Sequence, residues 1–137
     1  MKKPRYETSI QLGSKNTSEN IMLAVLATHQ LDWALRSVND FELEAYTRFS
    51  WKSVSEKVVI AVDQEGIINL VSECRGTQLI DWGKNKDNAR NFEKTVKTLN
   101  DQLSNQDLKK TYDQLSGSHW KLPKVTDHAN RMIAAIT

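Results

Sequence analysis

Over residues 5–12 polar and apolar side chains alternate, with Tyr6, Thr8, Ile10 and Leu12 on one side and Arg5, Glu7, Ser9 and Gln11 on the other. A period of two is that of a half-exposed strand, and Gly13 ends it. The period then changes. Thr17 or Ser18 can cap a helix reaching about residue 30, whose apolar arc holds Ile21, Met22, Val25, Leu26 and His29. Residues 33–38 and 41–49 read as a hairpin around Asn39-Asp40. Its second strand sets Phe41, Leu43, Ala45, Thr47 and Phe49 on one side and Glu42, Glu44, Tyr46 and Arg48 on a wet side. Residues 57–62 and 67–75 form another hairpin, whose connection Asp63-Gln64-Glu65-Gly66 offers a glycine for positive φ.

Residues 84–103 carry the clearest amphipathic stripe, in which Ala89, Phe92, Val96, Leu99 and Leu103 recur at helical spacing. A weaker helical segment with Leu108, Tyr112 and Leu115 stops at Gly117, and another after Pro123 holds Val125, His128, Ala129, Met132 and Ile136. The order β-α-β-β-β-β-α, joined largely by hairpins, predicts an α+β domain over residues 5–103. About five antiparallel strands form its sheet, with two main helices on one face. Residues 104–137 are expected to be a helical extension.

Composition narrows the function classes without choosing one. The chain has 137 residues, 39% of them hydrophobic and 26% charged, as in an ordinary globular protein. Nineteen Lys+Arg against seventeen Asp+Glu leave a net +2, too slight a bias to demand nucleic acid, and none is expected as a partner. The longest strictly apolar run, residues 21–27, is far shorter than the roughly 20 residues that span a bilayer. The basic first residues lead into no apolar signal segment, and Cys74 stands alone. A cytoplasmic location is therefore expected, with the Asn16-Thr17-Ser18 sequon idle.

The chemical motifs that mark enzymes are missing: no Gly-x-Ser-x-Gly elbow, no phosphate-binding glycine loop, no Cys-x-x-Cys and no His-Glu-x-x-His. His29, His119, His128 and Cys74 lack the local spacing of a zinc site, so neither a metal nor a cofactor is expected. His29 reads as a hydrogen-bonded residue at the core edge, and Cys74 as a small buried hydrophobe. Lys86, Arg90, Lys94 and Lys97 form a basic stripe, read as a solvated helix face, and the four tryptophans as core or rim.

The most distinctive stretch, residues 77–88, joins the last strand to the second long helix. Asp81 or Asn85 can satisfy free amides at the helix start, Gly83 permits an unusual backbone conformation, and Trp82 can cover the sheet end. The same corner could hold an anion, with Arg75 and Asp81 orienting a small polar ligand. Arg75, Asp81, Trp82, Gly83 and Asn85 are the candidate ligand-binding residues, and no residue is assigned as catalytic.

The stretch Ser72-Glu73-Cys74-Arg75-Gly76-Thr77-Gln78-Leu79-Ile80-Asp81-Trp82-Gly83-Lys84-Asn85, entering a helix with Phe92, resembles a soluble domain that precedes the membrane part of some bacterial rhomboid-family intramembrane serine proteases. It is also similar to an uncharacterised bacterial domain family in which an Asp-x-Gly-x-Asn turn leads into the final helix. The likeness in element order covers residues 6–103, with the Asp81 to Asn85 corner as its specific part. It implies a water-soluble accessory or regulatory domain, without catalytic residues of its own, beside a membrane domain of the same polypeptide or of another protein. The chain departs from a rhomboid protease in having no membrane span and no Gly-x-Ser-x motif within an apolar helix. Two further possibilities are a small apolar ligand held between the first helix and the sheet by Met22, Leu26, Phe41 and Leu43, and a small enzyme using His29 or Asp81.

Overall fold

The structure, a computed structural model, describes residues 4–13, 16–48, 55–75 and 83–136. In chain order the elements are β1 (Arg5–Ile10), α1 (Thr17–Gln30), β2 (Ala34–Val38), β3 (Glu42–Tyr46), β4 (Glu56–Val62), β5 (Ile68–Cys74), α2 (Lys84–Gln102), α3 (Asn105–Gly117) and α4 (Leu122–Ile136). The five strands form one antiparallel sheet in the order β1-β5-β4-β3-β2. The α+β class and the five-stranded antiparallel sheet are those the sequence pattern predicts.

Register follows from burial. Glu56, Val58, Ile60 and Val62 on β4 stand opposite Cys74, Ser72, Leu70 and Ile68 on β5, and all eight are buried. Leu43 and Ala45 continue this core face into β3, and Ile10 into β1. A slip of one residue would exchange every one of them for its outward neighbour, so the alternation itself fixes the pairing.

Helix α1 differs from the one-sided helix its apolar arc suggests, for it is buried without a break from Glu19 to Thr28. The run of residues 21–27 leaves it no wet face, and such a helix must be enclosed on all sides. It lies against β2, β3 and β4 on one side and against α2, α3 and α4 on the others. The two C-terminal helices therefore form part of its covering: Leu108, Leu115, Trp120, Val125 and Ala129 belong to the same buried cluster as Leu23, Leu26, Ile60 and Phe92.

Asn16, rather than Thr17 or Ser18, caps α1. Its side chain accepts from the Glu19 N–H at 3.0 Å while the Glu19 carboxylate accepts from the Asn16 N–H at 3.0 Å, a reciprocal capping box. At the other end Asp32 takes a left-handed conformation, φ 59°, and the Trp33 N–H reaches back to the Thr28 carbonyl at 2.9 Å, closing the helix and turning the chain into β2. The second strand of the β2–β3 hairpin is shorter than expected, since β3 ends at Tyr46, and Phe49 lies outside the described residues. Phe41 precedes β3, and its ring is 56% exposed instead of joining Leu43 in the core.

Between α3 and α4, His119 (φ 56°) and Trp120 (φ 52°) are successive left-handed residues. That conformation costs about 1–2 kcal/mol for each non-glycine residue. The offset lies in what the indole reaches: Trp120 is 8% exposed, packs edge-on against Tyr112 at 5.5 Å and donates from Nε1 to the Asp40 carboxylate at 2.7 Å.

Two outcomes are expected. Ending the chain after Leu103 uncovers α1, so the shortened protein should bind a hydrophobic dye and lose its cooperative thermal transition; an unchanged transition would show that α3 and α4 do not seal the core. Trp120→Phe keeps most of the packing but loses the indole donor, and should lower unfolding free energy by about 1 kcal/mol in a denaturant titration.

Candidate functional site

The corner singled out by the sequence lies at the end of the sheet where β5 stops and α2 starts. Arg75, Gly83 and Asn85 are described, whereas Asp81 and Trp82 lie outside the described residues. Gly83 is the N-cap of α2 at φ 79°, a conformation that a side chain would strain. It gives the helix no side-chain cap. Asn85 does not take up that role, because its side chain turns inward: the amide accepts from Ser72 Oγ at 2.8 Å and donates to the Pro4 carbonyl at 3.0 Å. Arg75 is exposed and stands apart from this amide. Its guanidinium lies 4.1 Å from the centre of the Tyr46 ring and donates to Ser55 Oγ at 2.8 Å. Arg36 approaches the same ring at 5.7 Å, so half-buried Tyr46, on the face expected to be wet, is in contact with two guanidinium groups.

Behind Asn85 runs a buried polar chain that the sequence reading did not single out. Glu56 is fully buried, at 0% exposure. Its Oε1 accepts from Thr47 Oγ1 and from Asn88 Nδ2, both at 2.8 Å, and Asn88 Nδ2 also lies 3.1 Å from Ser72 Oγ. Among the described residues Glu56 Oε2 has no hydrogen-bond partner. The chain thus ties β3, β4, β5, α2 and the start of β1 together through side chains and one carbonyl. A signal for it existed. Extending the 57–62 alternation by one position puts Glu56 on the core face, and Asn85 and Asn88 fall in line with Phe92 and Val96 on the stripe of α2 that faces the sheet.

Away from this corner, a concavity lies at each end of α1. A cleft of about 230 Å³ at the C-terminal end of α1 is lined by half-buried His29, by Trp33 and by Asp32, whose carboxylate pairs with Arg48 at 3.1 Å. Trp33 also stacks on Phe92 of α2 at 6.2 Å. At the opposite end of α1, an open groove of about 750 Å³ is lined by Thr17, Asp40, Phe41, Val62, Asp63 and Tyr112, among others. Of the four residues expected to hold an apolar ligand, Phe41 borders this groove, while Met22, Leu26 and Leu43 are packed in the core. Burial, and then the charge of Asp40, push the Tyr112 phenol above its ordinary value. Cys74 is buried, and among the described residues no three His, Cys, Asp or Glu side chains gather as a metal site. Lys86, Arg90, Lys94 and Lys97 all face solvent, the last paired with Glu93 at 2.7 Å.

No protein-family model and no curated protein matches this chain.

Asn88→Ala removes a donor from a carboxylate with no access to water, and should cost about 1–3 kcal/mol of stability. Asn88→Asp sets a second carboxylate against the first and should cost more; equal stability of both variants and the parent in urea titrations would show that the chain bears no load. Tyr112 gives a test at high pH. Its proton is held more tightly in the folded state than in the unfolded chain, so the stability linked to it is intact at neutral pH and declines from about pH 10 upward. Melting points across that range should fall less steeply for Tyr112→Phe than for the parent.

Proposed function

We propose that this chain is a non-catalytic accessory domain that works through its surface, beside a membrane-embedded domain of the same polypeptide or of another protein. The observation behind this reading is the sheet face opposite the helices. At its centre Val59 pairs with Val71, flanked by Glu44 of β3 and Glu7 of β1. Ala61 and Asn69 form the row on one side. On the other side Lys57 and Glu73 form a row between Tyr46 and Arg5, with Lys57 Nζ 3.9 Å from Glu44 and 3.7 Å from Glu73. An apolar centre bordered by paired charges on one side and by small neutral side chains on the other has the make-up of a moderate protein interface.

The polar residues best suited to chemistry, Glu56, Ser72, Asn85 and Asn88, are meanwhile engaged in holding strands to α2. No helix among the described residues is long and apolar enough to cross a membrane, so membrane attachment in this reading belongs to another segment or another protein. The resemblance of residues 72–85 to the domain that precedes some rhomboid proteases supports the same reading.

The test places a photo-crosslinking amino acid at Val59 in the full reading frame, expressed in its native cells. An adduct that sediments with membranes, and that does not form with the crosslinker at exposed Asp107 of α3, is the expected result. An adduct confined to the supernatant, or none at all, overturns the proposal.

A further inference from the structure

The groove at the N-terminal end of α1 joins two features that rarely coincide by accident. Among the described residues, Phe41 is the one large apolar side chain on the surface. Its exposure does not come from a loose backbone. The Phe41 N–H donates to Asn39 Oδ1 at 3.0 Å, and its carbonyl accepts from the Val62 N–H at 2.8 Å, so the ring is presented from a fixed turn. Half-buried Tyr112 and buried Val62 line the groove beside it.

The second feature is charge. Asp40 and Asp63 line the same groove, and neither forms an ion pair among the described residues. Both carboxylates are oriented by neutral donors: Asp40 by the Trp120 indole at 2.7 Å, and Asp63 by the N–H groups of Glu65 and Ile67 at 2.9 and 3.0 Å. Neutral hydrogen bonds position an anion without cancelling it. The nearby end of α1 brings an acid rather than a base to its first turn, Glu19, whose carboxylate accepts from the Asn16 N–H. Lys109, the cation next to Tyr112, is committed to Asp113 at 2.6 Å.

We infer that this groove binds a short peptide segment of a partner protein in which a lysine or arginine lies next to a large apolar residue. The apolar side chain packs on Phe41, and the cation sits between the carboxylates of Asp40 and Asp63. A neutral lipid-like ligand would leave both carboxylates unpaired beneath it, and an acidic one would be repelled. This inference does not depend on membrane attachment, because the groove lies at the end of the domain, away from the central Val59–Val71 pair.

The test is to pan a random-peptide phage library against the full chain and titrate the selected peptides in solution. The expected consensus pairs Arg or Lys with Leu, Phe or Trp. Phe41→Ala should weaken the selected peptide by about tenfold, and Asp63→Asn by several-fold, with affinity falling as salt is raised. Circular dichroism of each variant separates lost binding from lost folding. If Phe41→Ala does not fold, protection of the Phe41 and Tyr112 ring signals by peptide in the parent's NMR spectrum decides instead. No consensus, a neutral or acidic consensus, or a basic one indifferent to both substitutions and to salt overturns the inference. So does a concentration-dependent dimer of the parent that Phe41→Ala abolishes, since a second copy would then be the occupant.

Discussion

Complete enclosure of α1 is the constraint on which the rest of the molecule turns. Seven consecutive apolar residues, 21–27, give a helix with nothing to offer water. Each buried methylene among them is worth about 0.8 kcal/mol only if every side is covered. One sheet face covers one flank, and the other flanks need three more helices. Enclosure also sets the position of everything at the ends of α1. Asn20 donates to the Gly66 carbonyl and Thr17 to that of Asp63, both at 2.6 Å, locking the start of the helix to the β4–β5 turn and so forming one wall of the Phe41 groove. The left-handed Asp32 at the other end brings Arg48 and His29 together around the smaller cleft.

Where α2 meets the other end of the sheet, apolar packing gives way to the Glu56–Asn88–Ser72–Asn85 chain. A carboxylate and two amides buried there add no stability beyond what well-packed aliphatic groups would. What directional bonds add is discrimination: Asn85 and Asn88 can meet their partners in one rotation of α2 about its axis and one height along the sheet. The helix is thereby placed on β5 and β1 by geometry as well as by the Phe92 and Val96 stripe. Arg75 and Gly83, which the sequence pointed to, flank this positioning device.

Period and punctuation made most of the architecture legible. Both hairpins, the α2 stripe and the glycine turns at Gly66 and Gly83 follow from alternation, spacing and the need for positive φ, and all appear where those rules put them. What escaped was the set of features decided by a second layer. Helical spacing picks out an apolar arc of α1, whereas its unbroken apolar run calls for covering on every side. Asn85 looked like a cap because caps are local, whereas its partners, Ser72 and the Pro4 carbonyl, are brought to it only by the folded sheet. The alternation that carries Glu56 onto the core face competes with the rule that a glutamate at a strand edge is ordinarily wet, and Phe41 falls on the core side of the pattern because alternation does not say where the strand begins. Asp40 and Asp63 looked like turn residues, which they are; that two turns share a groove is a property of the tertiary structure alone.

The hydrogen bond from Trp120 to Asp40 joins residues 80 positions apart, across the outer helical layer and the tip of the β2–β3 hairpin. Closing so long a loop is entropically costly, and the two left-handed residues at 119 and 120 add local strain that only the finished contact offsets. Such a contact repays its cost only when sheet, α1 and α3 are all in place, so it couples the outer helices to the hairpin. The indole at this junction is thus a latch between two parts of the chain that local structure alone would not bring together.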